Sequence, residues 1–231
     1  YMYIYICIYI SNMTIYFINI CSDWLYNLYK EYLLNIKFFI EKNHSIAVSI
    51  KRIENFEFNS IDEKKKLDIK NIIRSHKTIF LGNMETVNKI YKCYSNKNDD
   101  TSNFYYLNIE QMSHPSYHAD INKKINTNIN IIDYSEENIP FLKQTYNKTY
   151  LLPPIFYNTC NKKGNKNIDI ISLSNNLYRR NILKNLQKNF NITLLDNIFG
   201  KERDNLFKKS KVYINLHASE KHKTMELIRI I

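Results

Sequence analysis

The chain has 231 residues, 44% of them hydrophobic, with 33 Lys+Arg against 22 Asp+Glu and a net charge of +11. That length suits one large domain or two modest ones with a real core, and the apolar share excludes disorder as the organising state. The cysteines Cys7, Cys21, Cys93 and Cys160 form neither a CxxC pair nor a zinc spacing, which argues against a disulfide scaffold and fits free thiols in a reducing, cytoplasmic setting.

The positive charge is scattered rather than clustered. It lies in short runs such as Lys64-Lys65-Lys66, Lys123-Lys124, Lys162-Lys163 and Lys208-Lys209, without an arginine-rich stretch. A diffuse field of this kind points to no specific nucleic acid. It suits an anionic nucleotide substrate and leaves peripheral membrane contact open. The high Asn, Lys, Ile and Tyr content makes the 19 tyrosines a matter of core and composition rather than a stacking platform.

Residues 1–20 are apolar but lack a basic leader and a small-residue cleavage site, and Ser11, Asn12, Thr14 and Asn19 interrupt them. Two strands fit better there than a membrane span or anchor. The second of these, Thr14–Ile20, is a β-branched and aromatic run that reads as a buried strand. Ser22 or Asp23 caps an amphipathic helix over Trp24–Ile40, with apolar residues at helical spacing from Leu25 to Ile40.

Ser45–Ile50 is the next strand, Ile61–Arg74 a charged part-helix, and Lys77–Leu81 a short strand ended by Gly82-Asn83. Glu85–Tyr94 reads as a helix and 95–103 as a polar loop. Phe104–Ile109 and Asn128–Asp133 are strands, Glu136-Glu137-Asn138 opens a short helix, and Thr149–Leu152 is a strand closed by Pro153-Pro154. Residues 158–167, polar and basic, form the linker. Beyond it the rhythm restarts. Ile168–Leu173 is a strand, Asn175–Phe190 a helix, Ile192–Leu195 a strand, Lys201–Ser210 a basic helix and Val212–Leu216 a strand.

Alternating strands and helices predict an α/β protein of two Rossmann-like α/β/α domains, with parallel sheets and a cleft between the domains where an anionic ligand meets helix N-termini. The expected boundaries are 1–157 for the first domain, 158–167 for the linker and 168–231 for a second, incomplete domain. A start at Tyr1 and an end inside a helix lead us to expect a partial reading frame.

The last stretch concentrates the chemistry. After the strand ending at Leu216 comes a polar turn with His217, Ser219 and Glu220, then a helix start carrying Glu226 and Arg229. Strand, polar loop and helix is the layout of a ligand site at the carboxyl end of an open α/β sheet. A first-turn carboxylate, held by backbone N–H groups and the helix dipole, presents two acceptors to a vicinal diol. A diphosphate needs fixed donors, and helix N-terminal amides with Arg or Lys supply them without a metal.

Several stretches occur in an order that resembles GT-B glycosyltransferases, in particular their bacterial and viral branch. They are Ser172-Leu173-Ser174-Asn175-Asn176-Leu177-Tyr178-Arg179-Arg180, Gly200-Lys201-Glu202-Arg203-Asp204-Asn205-Leu206, Ser210 through His217, and Glu226-Leu227-Ile228-Arg229. In the first domain Asn108-Ile109-Glu110-Gln111, Asp133 through Asn138 and Leu152-Pro153-Pro154 look like the same branch. The resemblance covers about residues 77–231; residues 1–76 match it only at the level of fold.

What the resemblance implies is transfer of a sugar from a nucleotide-sugar donor to a glycan, protein or lipid acceptor, with the second domain on the donor side and the first on the acceptor side. It implies no cofactor and no metal. On it, His217, Glu220 and Asp133 become candidate catalytic residues, and Arg179, Arg180, Asn215, Glu226 and Arg229 candidate donor-binding residues. Many members carry two glutamates spaced E-x7-E; here Glu220 and Glu226 are spaced E-x5-E.

Plainer roles compete at each position. His217 is either a phosphate or sugar donor or a loop histidine bonded to backbone. Arg229 either meets phosphate or pairs with Glu226 one helical turn away. Arg179 and Arg180 either meet an anion at a helix start or face solvent. Asp133 either acts as a base or caps the turn into 136–139. A binding or scaffolding module without turnover and, at a greater distance, a basic nucleic-acid-binding protein are the alternative functions.

Overall fold

The computed structural model describes residues 14–21, 23–53, 62–95, 101–109, 121, 123–146, 148–153, 165–173, 176–196, 198 and 200–216. The chain divides into two compact units, Tyr1–Ile155 and Phe156–Ile231.

The first unit is built on a sheet of six parallel strands in the order β2-β1-β3-β4-β5-β6. The strands are β1 (Thr14–Ile20), β2 (Ala47–Ile53), β3 (Lys77–Gly82), β4 (Phe104–Asn108), β5 (Asn130–Asp133) and β6 (Thr149–Leu151). The helices are α1 (Asp23–His44), α2 (Glu63–Ser75), α3 (Met84–Tyr94) and the single turn α4 (Ile139–Leu142), with a 3-10 turn at Thr101–Asn103 ahead of β4.

Local chemistry accounts for these boundaries. Tyr29, Tyr32, Leu33 and Ile36 of α1 are buried at i, i+3, i+4 and i+7, and Ser45, at φ 55, stops the helix in a left-handed residue. Asp62 caps α2 by accepting from the Lys65 amide at 2.8 Å, and Asn83 caps α3 by accepting from the Thr86 amide at 2.9 Å. Asn83 therefore opens the helix as well as ending the strand, a start that the sequence reading placed at Glu85.

Parallel strands need crossovers, and each crossover puts a helix on one face. One face carries Ile18, Ile20, Phe80, Phe104, Tyr106 and Ile131, packed with Ile69 and Ile73 of α2 and Val87, Ile90 and Tyr91 of α3. Phe80 stacks on Phe104 at 4.4 Å, and Tyr91 meets Phe104 edge-on at 5.3 Å. Each such side chain contributes roughly 1.5–3 kcal/mol by leaving water. The buried residues of α1 lie outside that cluster, so α1 covers the opposite face, with Ile15 and Phe17 of β1 beneath it.

The second unit has three parallel strands in the order β8-β7-β9: β7 (Ile168–Leu173), β8 (Ile192–Leu195) and β9 (Ser210–Tyr213). Helix α5 (Leu177–Leu186) joins β7 to β8, and α6 (Gly200–Lys209) joins β8 to β9. Asn176 caps α5 by accepting from the Arg179 amide at 3.0 Å. Two boundaries differ from the sequence reading. The helix expected over 175–190 is regular only to Leu186 and finishes in turns, and the last strand begins at Ser210 rather than Val212. Ser210 belongs to the strand because it pairs with Ile168, while its hydroxyl bonds the Phe207 carbonyl at 2.9 Å to end α6.

Both sheets are α/β and parallel, consistent with Rossmann-like units. Among the described residues, no helix is long and apolar enough to cross a membrane.

Candidate functional site

In an open parallel sheet the crevice for a ligand lies at the carboxyl ends of the strands where the strand order reverses. In the second unit the reversal is at β7, since the chain leaves to β8 on one side and returns to β9 on the other. Three bonds fasten that end. The Ile214 amide donates to the Ile171 carbonyl at 2.9 Å, the Ser172 hydroxyl donates to the Ile214 carbonyl at 2.8 Å, and Arg179 Nε donates to the Leu216 carbonyl at 2.7 Å. Residue 214 thus stays paired with β7 although the regular ladder stops at Tyr213, and residue 216 is tied instead to the first turn of α5 by a guanidinium.

Arg179 is 1% exposed, in the first turn of α5. It does not face solvent, and its guanidinium is spent at least in part on the loop's backbone. A cation at a helix start opposes the dipole, and the bond to a carbonyl oxygen offsets that cost. Its neighbour Arg180 is exposed and pairs with Asp196, just past the end of β8. Asn215 is half-buried between the two anchored carbonyls. His217, Glu220, Glu226 and Arg229 lie outside the described residues.

In the first unit, the carboxyl ends of β4 and β5 hold a polar knot around Asp133, which is fully buried. Its carboxylate accepts from Asn108 Nδ2 at 2.6 Å, from Asn138 Nδ2 at 3.0 and 3.2 Å, and from the Ser135 amide at 2.8 Å. Burial pushes the acid up to about 6, and these hydrogen bonds pull in the other direction. Tyr32 of α1 is buried close enough for the Asp133 charge to act on it, and burial first and that charge second raise its phenol above the ordinary value.

Tyr32 Oη reaches the Leu152 carbonyl at 3.5 Å, and the Leu152 amide donates to the Asp133 carbonyl at 2.7 Å. Asp133 therefore organises the turn into α4 and the exit from β6. The cap of α4 itself is Asn138, whose side chain bonds Asp133 rather than the helix amides. Among the described residues, this arrangement holds the Asp133 carboxylate as an acceptor for the surrounding turn.

Asn108, Asn138, Ser172 and the backbone role of Arg179 were missed as site-building residues. Asn138 carried a signal, standing five residues after a strand-end aspartate in a turn-rich stretch; the others depend on pairing between distant strands. Among the described residues, no group of three or more His, Cys, Asp or Glu side chains is placed to hold a metal ion.

No protein-family model matches the chain, and no solved structure matches it. The chain is similar to an uncharacterized protein of Acanthamoeba polyphaga mimivirus, 34% identical over 128 residues, which are 54% of this chain and 44% of that protein.

Proposed function

We propose that the chain is part of a GT-B glycosyltransferase that moves a sugar from a nucleotide-sugar donor to a glycan, protein or lipid acceptor. The observation that carries this reading is the fastening of residues 214–216 at the strand-order reversal of the second unit, immediately ahead of His217, Glu220, Glu226 and Arg229. A ligand loop works when its root is rigid, and a buried guanidinium with a serine hydroxyl supplies that rigidity. The order of the motifs from Asn108 to Arg229 supports the same reading.

In it, α5 presents the amides of its first turn to the donor diphosphate, and Glu226 accepts from the ribose hydroxyls. His217 and Glu220 stand nearest the transferred sugar. Asn215 and Arg229 complete the donor side, Arg180 adds charge at its rim, and Arg179 acts as a positioning residue. Asp133 holds the acceptor-side unit in shape.

The E-x5-E spacing favours a second reading, in which the donor binds without turnover. The test is calorimetric titration of the intact chain with UDP- and GDP-sugars. Saturable binding that Glu226→Ala abolishes supports the donor site. Binding that survives that change overturns the ribose role, and absence of binding to either nucleotide class overturns the reading. Donor binding without hydrolysis or transfer to any glycan, protein or lipid acceptor selects the second reading.

A further inference from the structure

The first unit has its own strand-order reversal, between β1 and β3, and an unusual residue stands beside it. Asn19, the last residue but one of β1, is fully buried, and among the described residues neither its Nδ2 nor its Oδ1 has a hydrogen-bond partner. A buried amide left unpaired on both atoms opposes folding, and native proteins keep such groups rarely.

A guanidinium stands beside it, and it lies at the start of α1, which opens with Asp23. Alternation along β1 puts Asn19 on the face of Ile15 and Phe17, the face that α1 covers. Its registered neighbour on β2 is Arg52. The Arg52 guanidinium lies 4.9 Å from the ring centroid of Tyr26, which belongs to the opening turns of α1. The row that contains Asn19 therefore lies under the N-terminal end of a 22-residue helix, with a guanidinium beside it. Helix N-terminal amides and a guanidinium are both groups that bind anions.

One residue further along, opposite Ile20, Gly82 at φ +101 brings β3 so close to β1 that an added Cβ would lie 2.1 Å from the Ile20 carbonyl oxygen. The Asn83 amide donates to that oxygen at 2.9 Å. Opposite Asn19 itself β3 places the buried, apolar Leu81, so a polar partner of the Asn19 amide has to come from the α1 or β2 side.

We propose that the carboxyl end of β1 is a second anion site, in which Asn19, Arg52 and the first turn of α1 bind a phosphate-type group. Asn19 donates Nδ2 to a phosphate oxygen and accepts at Oδ1 from a protonated oxygen of the same ligand, so that both atoms of the amide are satisfied. The site is independent of the donor reading of the second unit. Under that reading it makes the acceptor a phosphorylated molecule.

Inorganic phosphate and pyrophosphate are the probes, titrated into the intact chain at constant ionic strength and followed by 31P line broadening and calorimetry. Saturable binding is expected, weakened roughly tenfold or more in Asn19→Leu, the loss of one charge-assisted hydrogen bond. Asn19→Ser, shorter but still polar, serves as the second variant and is expected to weaken binding less. Unchanged affinity in both variants, or no saturation, overturns the proposal. Glu226→Ala separates the two sites: phosphate binding that it abolishes belongs to the second unit and overturns this assignment, whereas binding that it spares supports it.

Discussion

Asn108 donates its side-chain amide to the Asp133 carboxylate at 2.6 Å, from one strand to the residue registered with it on the next. Both side chains are fully buried. The pair sits at the carboxyl edge of the sheet, where β5 turns toward α4, and it fixes an otherwise costly carboxylate inside the fold.

That burial makes stability depend on pH. Asp133 rises from an ordinary 3.8 to about 6 because desolvation outweighs its hydrogen bonds. The folded state holds the proton to higher pH than the unfolded chain. The contribution is therefore fully present below pH 3.8 and is lost as pH rises through 6. The difference amounts to about 3 kcal/mol at ~1.4 kcal/mol per pKa unit. Asp133→Asn should flatten the curve between about pH 4 and pH 6, read as urea midpoints. Exposed Asp169, held low first by its hydrogen bond from Lys211, works in the opposite direction, so the mutant-minus-parent difference is the quantity to compare. Parallel curves would exclude Asp133 as the source.

Gly82→Ala should destabilise the first unit by more than about 3 kcal/mol, because the left-handed φ and the backbone of Ile20 both oppose a side chain. Urea unfolding followed by the fluorescence of Trp24 measures it. A loss below about 1 kcal/mol would mean that the β1–β3 junction in the middle of the sheet can shift to make room.

Arg179 and Arg180 are adjacent in sequence and should behave oppositely. Arg179→Met removes a buried guanidinium from the Leu216 carbonyl and should cost about 2 kcal/mol or more, with faster hydrogen exchange at Ile214. Arg180→Ala removes an exposed pair with Asp196 and should cost less than about 1 kcal/mol. Equal losses would show that the tether to residue 216 carries no weight.

Asn19→Leu exchanges an unpaired buried amide for an apolar side chain of similar size and should raise stability by about 1–3 kcal/mol in phosphate-free buffer. A thermal melt checks it, and a lowered midpoint would mean that the amide is paired in solution.

Sequence periodicity alone determined the parallel α/β architecture and most strand positions, because buried strands and amphipathic helices write their period into the chain. It also placed Asp133 at the carboxyl end of β5. Asn83 was missed as the cap of α3, although an asparagine directly ahead of an amphipathic run is a cap signal.

The partners were decided only by the tertiary structure. Ser172 meets Ile214 across 42 positions, Arg179 meets Leu216 across 37, and Asn108 meets Asp133 across 25. Strand order places these ends together, and strand order depends on which crossover goes to which face, a choice made by packing and not by local propensity. For the same reason Asn19 reads in the sequence as one polar interruption in an apolar run, and becomes an unpaired amide beneath a helix start only when β1 lies between β2 and β3.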